Sequence, residues 1–179
     1  MTVARSLALV ALMMTAAIFG FFYAWICSTL WGLDTLQPAH AIKAMQAMNE
    51  SVRNPVFFPA FFLTPVALGA ASVAAWRACQ TGPARLFAIA AAIYLVGGIG
   101  VTAIVNVPMN HALSTIDSSA AAETGEEIWQ TFSGRWQFWN TVRTGASGLS
   151  VLLTGMALLG IRSEPFKAGP VERPLQQMS

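Results

Sequence analysis

The chain has 179 residues, of which 55% are hydrophobic and only 10% are charged, and its formal net charge is +2. Soluble domains carry roughly a quarter charged residues, so most of this surface is not expected to face water. A net charge this small and scattered argues against nucleic-acid binding. The length allows one membrane bundle and no separate soluble domain.

Four stretches without any charged residue are each long enough to cross a bilayer, which takes ~20 predominantly apolar residues. They cover residues 6–33, 54–76, 86–116 and 144–161. The first is much longer than the ~7–15-residue apolar core of a secretory signal, so we interpret it as a retained helix. The fourth is barely long enough, and its helix is expected to begin outside the bilayer.

These spans predict an all-α fold, a transmembrane up-down-up-down four-helix bundle over residues 1–162, followed by a flexible cytoplasmic tail at 163–179. Basic residues predict its orientation in the cell membrane, because cytoplasmic loops are enriched in Lys and Arg. The end with both termini holds six of them, and the other end holds four together with six acidic residues. We therefore expect both termini in the cytoplasm and the two longer loops outside.

The first outer loop contains an amphipathic pattern over residues 38–52, with Pro38 suited to the first helical turn. The polar side chains are His40, Lys43, Gln46, Asn49 and Arg53, and the opposite apolar stripe is Ile42, Met45, Met48 and Val52. This pattern is typical of a short helix that lies on the membrane surface or caps the bundle on its outer side. The polar stripe either simply faces water or contributes to a site.

Antiparallel packing would gather the outer ends of the four spans, where amide and aromatic side chains are concentrated. Amides inside a membrane cost free energy unless they are paired. They either bond one another to hold the helices together or line a ligand pocket. The candidate pocket residues are Tyr23, Trp31, Asn49, Asn106, Asn110, Trp136, Trp139, Asn140 and Arg143. For Trp31, an interfacial aromatic belt is the alternative.

Metal chemistry has little support in this sequence, so we predict no metal site. The only histidines are His40 and His111, and there is no thiolate cluster or Glu-x-x-His motif. Two alternatives remain open, although no motif in the sequence supports them. One is a metal site in which Glu50 or Asp117 completes the two histidines, and the other is a haem held by both histidines. For each histidine a solvated or structural role is the alternative.

Four stretches carry a similarity to a known family. They are Phe22-Tyr23-Ala24-Trp25, residues 41–49, Asn106-Val107-Pro108-Met109-Asn110 and residues 136–143. In them the chain resembles the anthrone oxygenase-like family, a group of small four-span membrane proteins, over about residues 23–162. The most specific pieces are Asn-x-Pro-x-Asn and Trp-x-x-Trp-Asn-x-x-Arg.

The resemblance implies an activity, because some members oxidise an anthrone to an anthraquinone with molecular oxygen and without an evident organic cofactor. On that basis His40 or His111 is expected to remove a proton from the substrate. The expected donors to the developing oxyanion are Asn106, Asn110, Asn140 and Arg143. The rings that would stack on the substrate are Trp136, Trp139 and Tyr23.

Two other functions remain open on the sequence alone. One is a non-catalytic membrane protein that binds a lipid, a quinone or a partner helix. The other is a transporter subunit, which is disfavoured because there is neither an inverted repeat nor an acidic residue inside a span. The expected partners are membrane lipids and a hydrophobic small molecule, with a homo-oligomer left open.

Overall fold

A computed structural model describes residues 2–117 and 124–162. Within them all regular structure is helical, which confirms the all-α prediction. Four helices are long and apolar enough to cross a membrane, and we call them spans 1 to 4. They are Val3–Asp34, Phe57–Arg77, Thr81–Ser114 and Gly125–Gly160. The predicted flexible tail, 163–179, lies outside the described residues.

Spans 1 and 4 pack against each other in antiparallel orientation. The Arg5 guanidinium donates to the Ile161 carbonyl at 2.9 Å, so the beginning of span 1 lies beside the end of span 4. At the other end of the same pair, the Asn140 amide donates to the Phe22 carbonyl at 3.0 Å. Span 4 begins at Gly125, well before its uncharged stretch, as its short apolar length indicated.

A short helix, Pro38–Ser51, covers one end of the bundle, and we call it the cap helix. Ile42 and Met45 on its apolar stripe are fully buried, which confirms the amphipathic prediction. Its Gln46 is half-buried, and the side-chain amide donates to the carbonyls of Leu113 at 2.8 Å and Ile116 at 2.9 Å. Gln46 therefore ties the cap helix to the end of span 3, whereas His40 and Lys43 of the same stripe are exposed.

Spans 1 and 3 are interrupted by π-helical turns. Span 1 changes register at Trp25–Thr29, and span 3 changes at Tyr94–Gly100 and again at Thr102–Asn106. The helix then continues through Pro108 as Val107–Ser114. Such turns are rare and occur frequently at functional sites, which draws attention to the cap end of the molecule.

A proline in span 2 is compensated by a tyrosine of span 3. Pro65 has no N–H, so the carbonyl of Phe61, four residues earlier, lacks its helical donor. The hydroxyl of the fully buried Tyr94 donates to that carbonyl at 2.9 Å. The two spans are therefore joined at the position where the proline leaves a backbone group unpaired.

We expect Tyr94→Phe to lower the free energy of unfolding by about 1–3 kcal/mol, because it leaves a buried carbonyl without a donor. In a Pro65→Ala background the restored N–H supplies that donor, so the same change should cost less than half as much. Thermal unfolding of the four variants in detergent measures both costs. An equal loss in the two backgrounds would contradict the compensation.

Candidate functional site

A cavity of about 460 Å³ lies beneath the cap helix, among the ends of all four spans. Its size is within the range of small-molecule sites, ~300–1,000 Å³. Half of its lining residues are aromatic. The lining residues are Phe21, Phe22, Trp25, Met48, Asn49, Val52, Arg53, Phe57, Phe58, Phe61, Phe62, Thr102, Val107, Asn110, Trp136 and Arg143.

Arg143 is the central polar residue of this cavity, and only 5% of its surface is exposed. Its guanidinium donates to Asn140 Oδ1 at 2.9 Å and to Thr102 Oγ1 at 3.3 Å. Its carbon Cζ lies 4.5 Å from the centre of the Phe22 ring and 5.2 Å from that of Trp136. The cation is thus held between two aromatic faces, a favourable arrangement in a desolvated site.

The charge of Arg143 is not balanced by its neighbours in the cavity wall. Both of its hydrogen-bond acceptors are neutral, and none of the described lining residues is acidic. The exposed Arg53 adds a second positive charge to the lining. Burying a cation without a counter-charge is unfavourable, so this cavity is suited to a ligand that brings a negative charge.

Asn140 lies behind Arg143 and fixes its position. The side chain accepts from Arg143 through Oδ1 and donates through Nδ2 to the Phe22 carbonyl, so both ends of a fully buried amide are used. Because Phe22 is also one of the rings that contact the guanidinium, the amide connects span 1 to the cation. It orients Arg143 and does not itself line the cavity.

A second set of contacts involves Trp136, one of the two rings beside the Arg143 guanidinium. Trp136 donates from Nε1 to Asn110 Oδ1 at 2.9 Å, and its ring lies 4.8 Å from that of Trp25. Two polar atoms of lining residues, Arg143 Nε and Asn49 Nδ2, are buried without a hydrogen-bond partner in the described part of the chain. Unpaired buried donors cost free energy, and an acceptor on a bound ligand would satisfy them.

The predicted site residues fall into three groups in the structure. Four of them line the cavity: Asn49, Asn110, Trp136 and Arg143. Asn140 supports them from behind, whereas Asn106 is fully buried outside the lining with both of its side-chain polar atoms unpaired in the described part. Not brought into the lining are Tyr23, Trp31, Trp139, His40 and His111.

Four of the five residues in this last group are exposed. Tyr23 is 51% and Trp31 63% exposed, and both histidines are exposed as well. Trp139 is half-buried and packs edge-on against its neighbour Phe138. The described residues contain no group of three His, Cys, Asp or Glu side chains close enough to hold a metal ion.

The sequence-based choice of site residues left out the phenylalanines of span 2 and Thr102 of span 3. Phe57, Phe58, Phe61 and Phe62 follow the Asn54-Pro55 turn directly and all line the cavity. Their signal was available, because four rings within six residues at the predicted outer end of a span fit an aromatic wall. Thr102 carries no such signal, since threonines are common inside membrane helices.

Fold and cavity together define a small four-span membrane protein with a cavity lined by aromatic rings and two arginines. The chain belongs to the anthrone oxygenase family, whose model matches residues 51–153. The match includes Asn110, Trp136, Asn140 and Arg143 but not span 1. It confirms the family that the sequence motifs indicated. No curated protein and no solved structure matches the chain.

Proposed function

We propose that this protein is an oxygen-using oxidoreductase that acts on flat, hydrophobic aromatic ketones of the anthrone type and needs no organic cofactor. The observation that carries the proposal is the buried Arg143, held between Phe22 and Trp136 without an acidic partner in the described lining. An anthrone that loses a proton from its methylene carbon becomes a planar enolate. Its ring system fits aromatic walls, and its oxygen matches the guanidinium.

The chemistry follows from stabilising that enolate. Once the proton has left, the electron-rich carbon reduces O₂ and forms a carbon–oxygen bond, and the peroxide takes up a proton. Loss of the second proton from the same carbon then breaks the O–O bond, giving the new carbonyl and water. One anthrone and one O₂ yield one anthraquinone and one H₂O. The protein contributes orientation, oxyanion stabilisation and exclusion of water.

Arg143, and not a histidine base, promotes ionisation of the substrate. Neither His40 nor His111 is among the lining residues, and both are exposed. A fixed positive charge beside the ketone oxygen lowers the free energy of the enolate, so that water or buffer can take the proton. The described lining contains no side chain that is an ordinary base at neutral pH.

Entry of the substrate from the bilayer fits the packing of spans 2 and 3. These spans are packed closely along Thr81–Ile93 and much less beyond Tyr94. Three lining residues at this level remain 42–51% exposed, namely Phe58, Phe62 and Val107. With both termini in the cytoplasm, as the distribution of basic residues suggests, the cavity would belong to the outer leaflet.

Oxygen uptake by the detergent-purified protein tests the proposal. With an anthrone substrate, uptake should exceed that of heat-denatured protein and should consume one O₂ for each anthraquinone formed. His40→Ala and His111→Ala should each keep the rate within about twofold, because neither side chain lines the cavity. Loss of activity in either variant would identify that histidine as the base. Absence of oxygen uptake above that of the denatured protein would refute the oxidase activity. Metal analysis of the same sample shows whether activity follows metal content.

A binding protein for aromatic anions is the second candidate. It is favoured by one observation, that the described lining offers neither a base nor a nucleophile. Saturable binding of a hydroxyanthraquinone without oxygen uptake from an anthrone would support this function over the enzyme.

A further inference from the structure

A second and larger cavity lies at the end of the bundle away from the cap helix. It is a groove of about 890 Å³ between spans 1 and 2. Its wall is formed by apolar and small side chains such as Leu7, Val66, Gly69 and Val73, and it ends at two arginines, Arg77 and Arg162. This chain crosses a membrane, and the groove combines apolar walls with positive charges at one end. It is therefore complementary to an amphiphile with an acidic head group.

Hydrogen bonds between distant segments fix the charged end of this groove. The Gln80 side chain accepts from the Arg162 N–H at 3.0 Å and donates to the Arg162 carbonyl at 3.3 Å. Arg5 donates to the adjacent Ile161 carbonyl at 2.9 Å. These contacts hold the end of span 4 against the turn between spans 2 and 3, and so keep Arg162 at the groove.

The charge at this end has a single sign within the described chain. Described residues 2–20, 65–95 and 145–162 contain four arginines, Arg5, Arg77, Arg85 and Arg162, and no acidic residue. An isolated arginine at a membrane surface is ordinary. Two arginines at the end of a deep apolar groove, with no carboxylate in these segments to neutralise them, favour an anionic ligand over a zwitterionic one.

We propose that this groove binds an anionic phospholipid of the bilayer, with an acyl chain along Leu7, Val66 and Val73 and the phosphate between Arg77 and Arg162. The site is separate from the cavity beneath the cap helix and does not depend on its function. Polybasic sites at membrane surfaces gain roughly 1 kcal/mol for each Lys or Arg near anionic lipid. Two arginines therefore predict a preference for anionic over zwitterionic lipid of roughly thirtyfold.

Thermal unfolding in detergent with added lipid tests this site. Phosphatidylglycerol should raise the unfolding temperature more than phosphatidylcholine with the same acyl chains. The double variant Arg77→Ala, Arg162→Ala should lose that difference, whereas Arg85→Ala, at the same end but outside the groove lining, should keep it. Gly69→Leu checks independently that the lipid occupies the groove. Open space surrounds Gly69, so a leucine there fills the groove while leaving both arginines in place.

The outcomes separate the alternatives. Equal shifts with the two lipids, or a double variant that keeps the preference, would overturn the proposal. Glycerol phosphate and inorganic phosphate should give no comparable shift, and an equal shift would mean a phosphate site instead of a lipid site. Oxygen uptake with an anthrone in lipid-free detergent should not change in the groove variants, so failure of this inference is distinguishable from failure of the proposed enzyme.

Discussion

Arg143→Met is expected to lower kcat/KM for anthrone oxidation by about 10²–10³-fold, the usual cost of removing one preorganised oxyanion donor. Methionine keeps an unbranched side chain between Phe22 and Trp136, so the cavity wall stays filled, but it carries no charge and donates no hydrogen bond. Initial rates of oxygen uptake measure the loss. The protein should still fold, because a buried cation is replaced by an apolar group of similar length.

Arg135→Met is the matched control for this experiment. Arg135 is exposed, lies about two turns earlier on the same helix, and is not among the cavity-lining residues. It should keep full activity. Binding adds a second readout: Arg143→Met should weaken the binding of an ionised hydroxyanthraquinone but not that of neutral anthracene. Equal losses for both ligands would mean that Arg143 only maintains the shape of the cavity.

The spans and the cap helix were predictable from sequence because they depend on properties that add up along the chain. Hydropathy over ~20 residues locates a crossing whatever its neighbours are. The stripe containing Ile42 and Met45 likewise identifies the buried face of a short helix without knowledge of its partner. The cavity, in contrast, depends on the rotation of each helix about its axis, and π-helical turns change that rotation in ways that hydropathy does not report.

Asn106 and Asn110 illustrate this limit. They belong to one sequence motif and are both predicted pocket residues, yet only Asn110 lines the cavity. The π-helical turn Thr102–Asn106 ends at Asn106, so the helical register changes where this motif begins. His40 and His111 were candidates because histidine is the common base near neutral pH. Their exposure is set by the orientation of two short helices, which the sequence does not determine.

Asn140→Asp tests whether the positive charge, and not merely the side chain, of Arg143 is what binds the ligand. The aspartate keeps an acceptor for the guanidinium, and it adds a negative charge beside it. Opposite charges ~4 Å apart interact by about 4 kcal/mol at an effective dielectric constant of 20. We therefore expect the affinity for an ionised hydroxyanthraquinone to fall at least 100-fold, with oxygen uptake falling in parallel.

Asn140→Ala gives the contrast that makes the result interpretable. It removes the bond to a charged group, worth about 1.5–3 kcal/mol, which the aspartate keeps. Both variants lack the amide N–H that donates to the buried Phe22 carbonyl, so that loss, about 1–3 kcal/mol, is common to them. Alanine should therefore be the least stable of the three proteins, but it leaves the charge of Arg143 free to meet an anion. Stability should decrease from Asn to Asp to Ala, whereas anion affinity should decrease from Asn to Ala to Asp. If affinity instead followed stability, Asn140 and Arg143 would act only as a structural pair, and the anion site would be refuted.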